Sequence, residues 1–220
     1  MGDTSRGPVV VIGLGRFGHA IALELTKQGT EVLAIDSSQR RVQDLAPEIG
    51  QAVTADGTDI EALRQLGVGE YPRAVVAIGE HLEDSILTTS LLVDLGIGDI
   101  WAKATSAHHG RILERIGAHH VVFPEQDMGQ RVAHLVSGQV LDYLQVDRDF
   151  ALAKLRPPRE IIGVPLLEST IRKEHGVTVV AVKSGDGPFT YATNETVVSQ
   201  GDLILAVGRT ADLEHLLDDS

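Results

Sequence analysis

Short apolar runs alternate with amphipathic stretches between residue 8 and about residue 125. The runs are continuous and mostly β-branched, which is typical of strands that are buried on both faces of a sheet. They predict six strands, at 9–12, 31–36, 51–55, 74–78, 100–104 and 120–123. The stretches between them repeat apolar residues at helical spacing, as Ile60, Leu63 and Leu66 do. This alternation predicts βαβ units and a Rossmann-like, doubly wound α/β fold with a parallel sheet.

The pattern changes after residue 125. Residues 126–145 carry apolar side chains along one side of a predicted long helix. Beyond this helix we predict strands at 150–155, 177–182 and 202–207, a short helix around 166–174 and another at the end of the chain. The predicted organisation is therefore an N-terminal lobe over residues 8–125, a helix and linker over 126–148, and a smaller α+β C-terminal lobe over 149–218.

The balance of charge narrows the range of partners. The 220 residues include 19 lysines and arginines against 31 acidic residues, which gives a net charge of −12. Nucleic-acid binders usually carry a basic face, so the sequence argues against DNA or RNA. No apolar run approaches the roughly 20 residues that span a bilayer, and no apolar leader precedes the first strand. We therefore expect a soluble, cytoplasmic protein that reaches a membrane only through a partner.

The glycine-rich segment Gly13–Gly18 (GLGRFG) carries the strongest functional signal. It follows a predicted strand and opens a predicted helix, which is the context of a dinucleotide-binding loop. Gly13 allows a tight turn, Gly15 lets the backbone approach a pyrophosphate, and Gly18 lets the helix pack closely on the strand. Asp36 ends the second strand, where a carboxylate can accept both ribose hydroxyls and would repel the 2′-phosphate of NADP. These residues predict an adenine-nucleotide site with an unphosphorylated ribose.

Further candidates lie at positions that the fold would bring around this loop. Arg16 is inside the loop and can pair with phosphate oxygens. Asp56 and Ile78, each followed by a glycine, end the third and fourth strands, where open α/β sheets bind ligands. The complete predicted site consists of Gly13, Gly15, Arg16, Phe17, Gly18, Asp36, Ser37, Asp56, Gly57, Ile78, Gly79, Lys103 and Glu125.

Four of these residues also have a purely structural interpretation, which for Arg16 is a solvated side chain at the start of the helix. Asp56 precedes Gly57, and Asp-Gly is a turn signal by itself. Lys103 interrupts an apolar strand, either because it ends at the ligand crevice or because that strand lies at the edge of the sheet. Glu125 precedes the predicted long helix as an acid that complements the helix dipole or as an oxygen ligand for a divalent cation at the phosphates. Spacing alone favours the helix-start interpretation of Glu125.

The sequence carries no recognisable catalytic motif. It has no cysteine, no GxSxG and no GxxxxGK[ST] frame. The adjacent pairs His108-His109 and His119-His120 lack the spacing of a metal site, so we expect them at surface helix ends. These absences favour a binding protein over an enzyme. An NAD-dependent oxidoreductase is the alternative, because the glycine loop and Asp36 fit it equally well.

Five segments resemble RCK proteins of the TrkA/KtrA type, the cytosolic gating subunits of bacterial potassium uptake systems. They are Val11–Gly18 (VIGLGRFG), Ala34–Asp36 (AID), Ala55–Thr58 (ADGT), Glu160–Gly163 (EIIG) and Gln200–Leu205 (QGDLIL). The resemblance covers nearly the whole chain. It implies a regulatory subunit at the inner face of the cell membrane that gates a potassium channel subunit of the TrkH/KtrB type. A regulator of another cation transporter is the alternative within this class.

The resemblance also implies ligands and assembly. ATP and ADP, or NAD and NADH in TrkA-like members, would switch the conformation of homodimers that stack into an octameric ring, with residues 126–145 as a dimer crossover helix or as ordinary packing on its own sheet. Arg16 would reach phosphates and can cross to the neighbouring protomer, and Glu125 would help to hold Mg²⁺ or Ca²⁺ beside ATP. Cyclic di-AMP is a candidate ligand of the C-terminal lobe. Ile161 and Ile162 match the apolar part of that site, whereas its polar residues have no match here.

Overall fold

The computed structural model describes residues 7–136 and 140–218, and its internal contacts divide the chain into two units after Glu125. The strands of the first unit are β1 (Val9–Ile12), β2 (Val32–Asp36), β3 (Gln51–Thr54), β4 (Arg73–Val76), β5 (Asp99–Lys103) and β6 (His120–Val122). Its helices are α1 (Arg16–Lys27), α2 (Gln39–Leu45), α3 (Ile60–Gln65), α4 (Leu82–Asp94) and α5 (Ala107–Ile116), with a 3₁₀ helix at Val68–Glu70. The next helix, α6 (Pro124–Val136), begins at the end of this unit.

The six strands form one parallel sheet in the order β3-β2-β1-β4-β5-β6. Strand β1 is central. Val10 and Ile12 pack into the core on one face, and Val9 and Val11 pack into the core on the other. The prediction of a Rossmann-like, doubly wound sheet is therefore confirmed. The strand order reverses between β1 and β4, which creates the crevice where such sheets bind ligands.

The second unit contains a five-stranded antiparallel sheet. Its elements are β7 (Asp142–Asp147), β8 (Phe150–Leu155), a 3₁₀ helix at Arg159–Ile161, α7 (Ile171–His175), β9 (Thr178–Lys183), β10 (Thr190–Tyr191), β11 (Leu203–Arg209) and α8 (Thr210–Asp218). The strand order is β10-β9-β11-β8-β7. Leu155, Ile161, Ile171 and Ile204 lie in its core. The predicted smaller α+β unit is confirmed.

The prediction of one helix over 126–145 is wrong at its C-terminal end. Helix α6 is described to Val136, and residues 137–139 lie outside the described range. Residues 142–147 are strand β7, which pairs antiparallel with β8 across a turn at Arg148 and Asp149. The local pattern missed this hairpin because the turn contains no glycine, and pairing with β8 outweighs the helical spacing.

The helix predicted around 166–174 is also shorter than expected, because only Ile171–His175 is helical. The amides of Leu166 and Leu167 donate instead to the carbonyls of Thr196 and Asn194. These hydrogen bonds to a segment about 30 residues later in the chain hold Leu166 and Leu167 in an irregular conformation. The spacing of apolar residues does not reveal it.

Candidate functional site

A cleft of about 440 Å³ opens at the carboxyl ends of the parallel strands of the first unit. Its size is within the usual range for ligand pockets. The cleft is lined by Ile12, Gly13, Gly15, Arg16, Phe17, Asp36, Ser37, Arg41, Ala55, Asp56, Gly57, Thr58, Ala77, Ile78, Gly79, Glu80, His81, Asp84, Lys103, Thr105 and Glu125. Every residue of the predicted site except Gly18 is among these, so the fold brings together segments that are more than 100 residues apart in sequence.

The glycine loop has the backbone geometry that its sequence predicts. Gly13 has φ of 95°, and a Cβ there would lie 3.0 Å from the backbone nitrogen of Ile78. Gly18 does not line the cleft but allows α1 to pack closely on the loop and on the residue that follows β4. A Cβ on Gly18 would lie 1.9 Å from the carbonyl oxygen of Gly13 and 2.9 Å from the Cβ of Ala77. Gly15 is the N-cap of α1 and has open space around it, with no side chain capping the helix. The first amides of α1 are therefore available to an anion.

Asp36 is buried, and its carboxylate fastens the loop to β2. Oδ2 accepts a hydrogen bond from the amide of Leu14 at 2.6 Å, and Oδ1 accepts one from the amide of Ser38 at 2.7 Å. A carboxylate has about four acceptor positions, so the same group retains the capacity to accept ribose hydroxyls. Asp36 thus shapes the loop as well as facing the cleft.

Arg41 is a cleft residue that the sequence analysis missed, and its partner Glu80 directly follows the predicted Ile78 and Gly79. Arg41 is in the first turn of α2, and its guanidinium lies 3.5 Å from Oδ2 of Asp36 and 3.4 Å from Oε2 of Glu80. Glu80 follows β4, so this arginine bridges the ends of two different strands. The sequence did contain a signal for Arg41. Ser38 is a typical N-cap residue, so it predicts that a helix starts just after Asp36 and carries Arg41 in its first turn.

Lys103, the last residue of β5, and Glu125, which follows β6, form an ion pair at the carboxyl edge of the sheet. Strand β5 lies between β4 and β6, so the edge-strand interpretation of Lys103 is wrong. Its ammonium is 2.5 Å from Oε1 of Glu125 and 5.8 Å from the centre of the Phe17 ring. A Cβ on Gly79 would lie 2.9 Å from Nζ of Lys103, so this glycine leaves room for the lysine.

The hydrogen bond from Lys103 is the main cause that lowers the pKa of the Glu125 carboxyl. Partial burial opposes this shift, while the charges of Lys103 and Arg16 add to it. Glu125 also lies in the first turn of α6, as its helix-start interpretation predicts. The carboxylate is 63% exposed and is held ionised, which is the form that a cation would require.

The loop after β3 shows the turn chemistry expected of Asp-Gly and also faces the cleft. Asp56 accepts hydrogen bonds from the amide and the hydroxyl of Thr58, at 2.8 and 2.7 Å, and these bonds lower the pKa of its carboxyl. The hydroxyl of Thr88 donates to the carbonyl of Gly57, and a Cβ on Gly57 would lie 2.7 Å from Ile12. Asp56 therefore has the predicted turn chemistry and lies at the cleft, while a contact with a ligand stays a prediction.

One expectation outside the cleft needs correction, and one match in the second unit gains detail. His109 is not at the surface, because it is 1% exposed and its Nδ1 accepts a hydrogen bond from the amide of Thr105 at 3.3 Å. Burial lowers the pKa of its imidazole. Ile161 is fully buried in the core of the second unit, so of the apolar pair matched to a cyclic di-AMP site only Ile162 has accessible surface.

A parallel sheet of this order, with a glycine loop and an acidic residue at its switch point, defines the class of Rossmann-like nucleotide-binding lobes. The chain belongs to the TrkA family: the TrkA-N domain model matches residues 9–124, and the TrkA-C domain model matches residues 150–219. The resemblance to RCK proteins of the TrkA/KtrA type is therefore confirmed. Within the part of the chain that the structure describes, no helix is both long and apolar enough to cross a bilayer.

Two relatives are similar over nearly their full length. The chain is 38% identical to the Ktr system potassium uptake protein C of Bacillus subtilis over 93% of each chain. It is 33% identical to protein A of the Ktr system from the same organism over 98% of this chain and 97% of the relative.

Solved structures of GsuK share the fold. The GsuK RCK domain matches 99% of this chain with a TM-score of 0.65 at 20% identity, and the GsuK channel bound to NAD matches 99% with a TM-score of 0.66 at 21% identity. This chain spans 48% and 40% of the lengths of those two chains.

Proposed function

We propose that this chain is the nucleotide-sensing regulatory subunit of a membrane potassium uptake system. The similarity to two Ktr system potassium uptake proteins over more than nine-tenths of the chain supports the potassium system. The observation that carries the nucleotide-sensing role is the cleft, where the uncapped start of α1, Arg16 and the buried carboxylate of Asp36 surround one space. Amide donors, a cation and a carboxylate around one space are the groups that would bind and orient the phosphates and the ribose of a nucleotide.

The ligand we propose is ATP exchanging with ADP, with NAD and NADH as the alternative pair. The ribose would bind at Asp36 with Ser37 beside it, and the phosphates would bind at the amides of α1 with Arg16 and Lys103 close by. The GsuK channel bound to NAD supports an adenine-containing ligand on this fold. Asp36 disfavours a 2′-phosphate, so NADP is not expected.

A divalent cation at Glu125 fits the charge of the cleft. Its lining residues include five carboxylates (Asp36, Asp56, Glu80, Asp84 and Glu125) and three cationic side chains (Arg16, Arg41 and Lys103). A triphosphate would add further negative charge, so Mg²⁺ or Ca²⁺ held by Glu125 would offset the repulsion. Binding would then replace the Lys103–Glu125 ion pair with a phosphate contact for the lysine and a cation contact for the glutamate.

The proposed output is a change in assembly shape. ATP and ADP can switch a conformation only if they bind the two shapes with different affinity. We propose that homodimers assemble into an octameric ring beneath a TrkH/KtrB-like channel subunit, at the cytoplasmic face of the membrane, and that α6 contributes the dimer crossover. Exposed apolar side chains on α6, at Met128, Val132 and Val136, favour a partner surface. Cyclic di-AMP at the C-terminal lobe is the least supported ligand, because the polar residues of that site have no match in this chain.

Calorimetric titration tests the proposed ligand. ATP, ADP, NAD and NADH are each titrated into the nucleotide-free chain, with and without Mg²⁺ or Ca²⁺. Arg16→Gln should weaken binding about tenfold or more, because a hydrogen bond to a charged group contributes about 1.5–3 kcal/mol. Arg40→Gln is the matched control, since Arg40 is exposed, makes the same charge change and does not line the cleft. Binding no tighter than millimolar for every nucleotide would contradict the proposal.

A second experiment separates regulation from catalysis and identifies the transporter. Turnover of NADH with a panel of small carbonyl compounds would support the oxidoreductase alternative. Potassium uptake is then measured in cells that lack their own uptake systems and express this chain with a KtrB-like channel. Uptake that requires the chain and is altered by Arg16→Gln is the expected result. A pull-down from membranes that returns another cation transporter would contradict the potassium assignment.

A further inference from the structure

The second unit contains a cluster of one imidazole and two carboxylates that the proposed nucleotide site does not use. Glu160, Glu174 and His175 each offer one ligand atom, and these atoms lie within 4.8 Å of one another. Oε1 of Glu160 is 3.1 Å from Nε2 of His175. The His175 side chain is 15% exposed and the Glu160 side chain is 39% exposed, so the imidazole is largely covered while the carboxylate remains open to solvent.

The core of the second unit fixes both sides of this cluster. Glu160 lies in the 3₁₀ helix Arg159–Ile161, whose Ile161 is fully buried. Glu174 and His175 end α7, whose first residue Ile171 is 3% exposed in the same core. The cluster therefore lies between the 3₁₀ helix and α7, each of which is anchored in the core by its own isoleucine. An ion bound there would link these two segments.

Local contacts orient the ligand atoms. Oγ1 of Thr170 donates a hydrogen bond to Oε2 of Glu174 at 3.0 Å, which restrains that carboxylate. Gly176 ends α7 with φ of 66°, and a Cβ there would lie 2.7 Å from Oδ2 of Asp212. The Asp212 carboxylate therefore lies beside Gly176, the residue that follows His175 in the chain.

We propose that Glu160, Glu174 and His175 bind one divalent transition-metal ion, with Zn²⁺ the preferred occupant. Imidazole and carboxylate together suit zinc better than Mg²⁺ or Ca²⁺, which take oxygen ligands. In a tetrahedral site with bonds of ~2.0–2.1 Å, neighbouring ligand atoms are about 3.3 Å apart. The Glu160–His175 distance already approaches this value. Three protein ligands leave the fourth position to water, and the ion would tie the 3₁₀ helix to α7.

The competing interpretation is a plain ion pair between His175 and Glu160, with Glu174 held by Thr170. Metal titration distinguishes the two. The full-length chain is stripped with a chelator and titrated with Zn²⁺ in competition with a chromophoric indicator. We expect a site of one ion per chain that Glu160→Gln and His175→Ala each weaken at least about tenfold, the loss that follows even from removing a supporting partner of a metal ligand.

Two control variants make the result specific to this cluster. His215→Ala removes an exposed histidine of α8 in the same unit, and Glu125→Gln removes the divalent-ion candidate of the nucleotide cleft. Neither should change the affinity of this site. Thermal unfolding confirms that each variant is folded, and Glu160→Gln keeps the test valid if His175→Ala does not fold. X-ray absorption of the zinc-loaded chain should show one imidazole nitrogen with oxygen ligands.

The proposal is overturned if Zn²⁺ binds Glu160→Gln and wild type with equal affinity, if His215→Ala abolishes binding as His175→Ala does, or if no stoichiometric binding occurs. Because the readout is metal affinity in the second unit, its failure would leave the nucleotide proposal unaffected.

Discussion

Gly15 and Gly18 are three residues apart in one loop but have different surroundings, and this difference gives a paired test of the site. A Cβ on Gly18 would lie 1.9 Å from the carbonyl oxygen of Gly13. Ordinary contacts between carbon and a carbonyl oxygen are about 3.3–3.6 Å. Helix α1 must therefore move by more than about 1 Å relative to Gly13 if alanine replaces Gly18, and this movement deforms the glycine loop that joins them.

The expected cost of Gly18→Ala follows from this displacement. Inserting extra atoms into a packed interior costs about 1–3 kcal/mol, and each kcal/mol lowers Tm by about 2–4 °C in chains of this size. We therefore expect Tm to fall by about 2–12 °C. Nucleotide affinity should fall as well, because the α1 amides no longer point at the phosphate position.

Gly15→Ala is the matched control. Gly15 has φ of −64° and ψ of −175°, which any residue adopts, and a Cβ there meets nothing within 4 Å. Its Tm should equal that of the wild type, whereas ATP and ADP should bind about tenfold more weakly, a loss of ~1.4 kcal/mol, because the methyl group occupies the approach of the phosphates.

Thermal unfolding by circular dichroism and calorimetric titration with ATP and ADP measure the two effects separately. Wild-type Tm and wild-type affinity in Gly18→Ala would refute the close-packing argument. A Tm loss in Gly15→Ala as large as that in Gly18→Ala would refute the distinction between the two glycines.

Three further predictions address other parts of the chain. Lys103→Met should return the lowered pKa of Glu125 toward its ordinary value, measured by NMR titration of the carboxyl. In the wild type the stabilisation from this pair is present above the ordinary carboxyl pKa and is lost as pH falls through the lowered pKa, so Lys103→Met should flatten the acid side of the Tm profile. Leu113→Ala, at a fully buried core position, should lower the free energy of unfolding by about 2–5 kcal/mol in denaturant titration. Arg131→Ala should cost no more than about 1 kcal/mol in the same assay, because its 2.7 Å pair with Asp142 is nearly half exposed to solvent, with side chains 43% and 47% accessible.

The part of the site that could be predicted from sequence is the part built by local chain geometry. Gly13, Gly18 and Asp36 occupy positions that a strand, a turn and a helix dictate, and the structure gives each the surroundings that the pattern implies. Arg41 was missed because its role depends on Glu80, which is 39 residues away and meets it only when the ends of β2 and β4 are brought together.

The errors outside the site concern a buried histidine and an edge strand. His109 occupies the first turn of α5, where a surface position is usual, but its imidazole is buried against Thr105. Residues 142–147 carry a pattern that fits a helix, yet they complete the edge of an antiparallel sheet. Both contacts are short in sequence, with His109 four residues after Thr105 and β7 joined to β8 by a two-residue turn, and the spacing of apolar residues reveals neither of them.

The cleft combines a fixed part and an exchangeable part, and the distinction bears on how it could sense a nucleotide. The fixed part is held by backbone hydrogen bonds, as Asp36 is by the amides of Leu14 and Ser38, and a ligand does not need to break these bonds. The exchangeable part consists of side-chain ion pairs, above all Lys103 with Glu125. ATP and ADP present the same adenosine to the fixed part, so that part cannot distinguish them. If ATP and ADP bind as we propose, a difference in affinity between two conformations would have to arise where a terminal phosphate or its cation meets the remaining polar groups of the cleft, the Lys103–Glu125 pair among them.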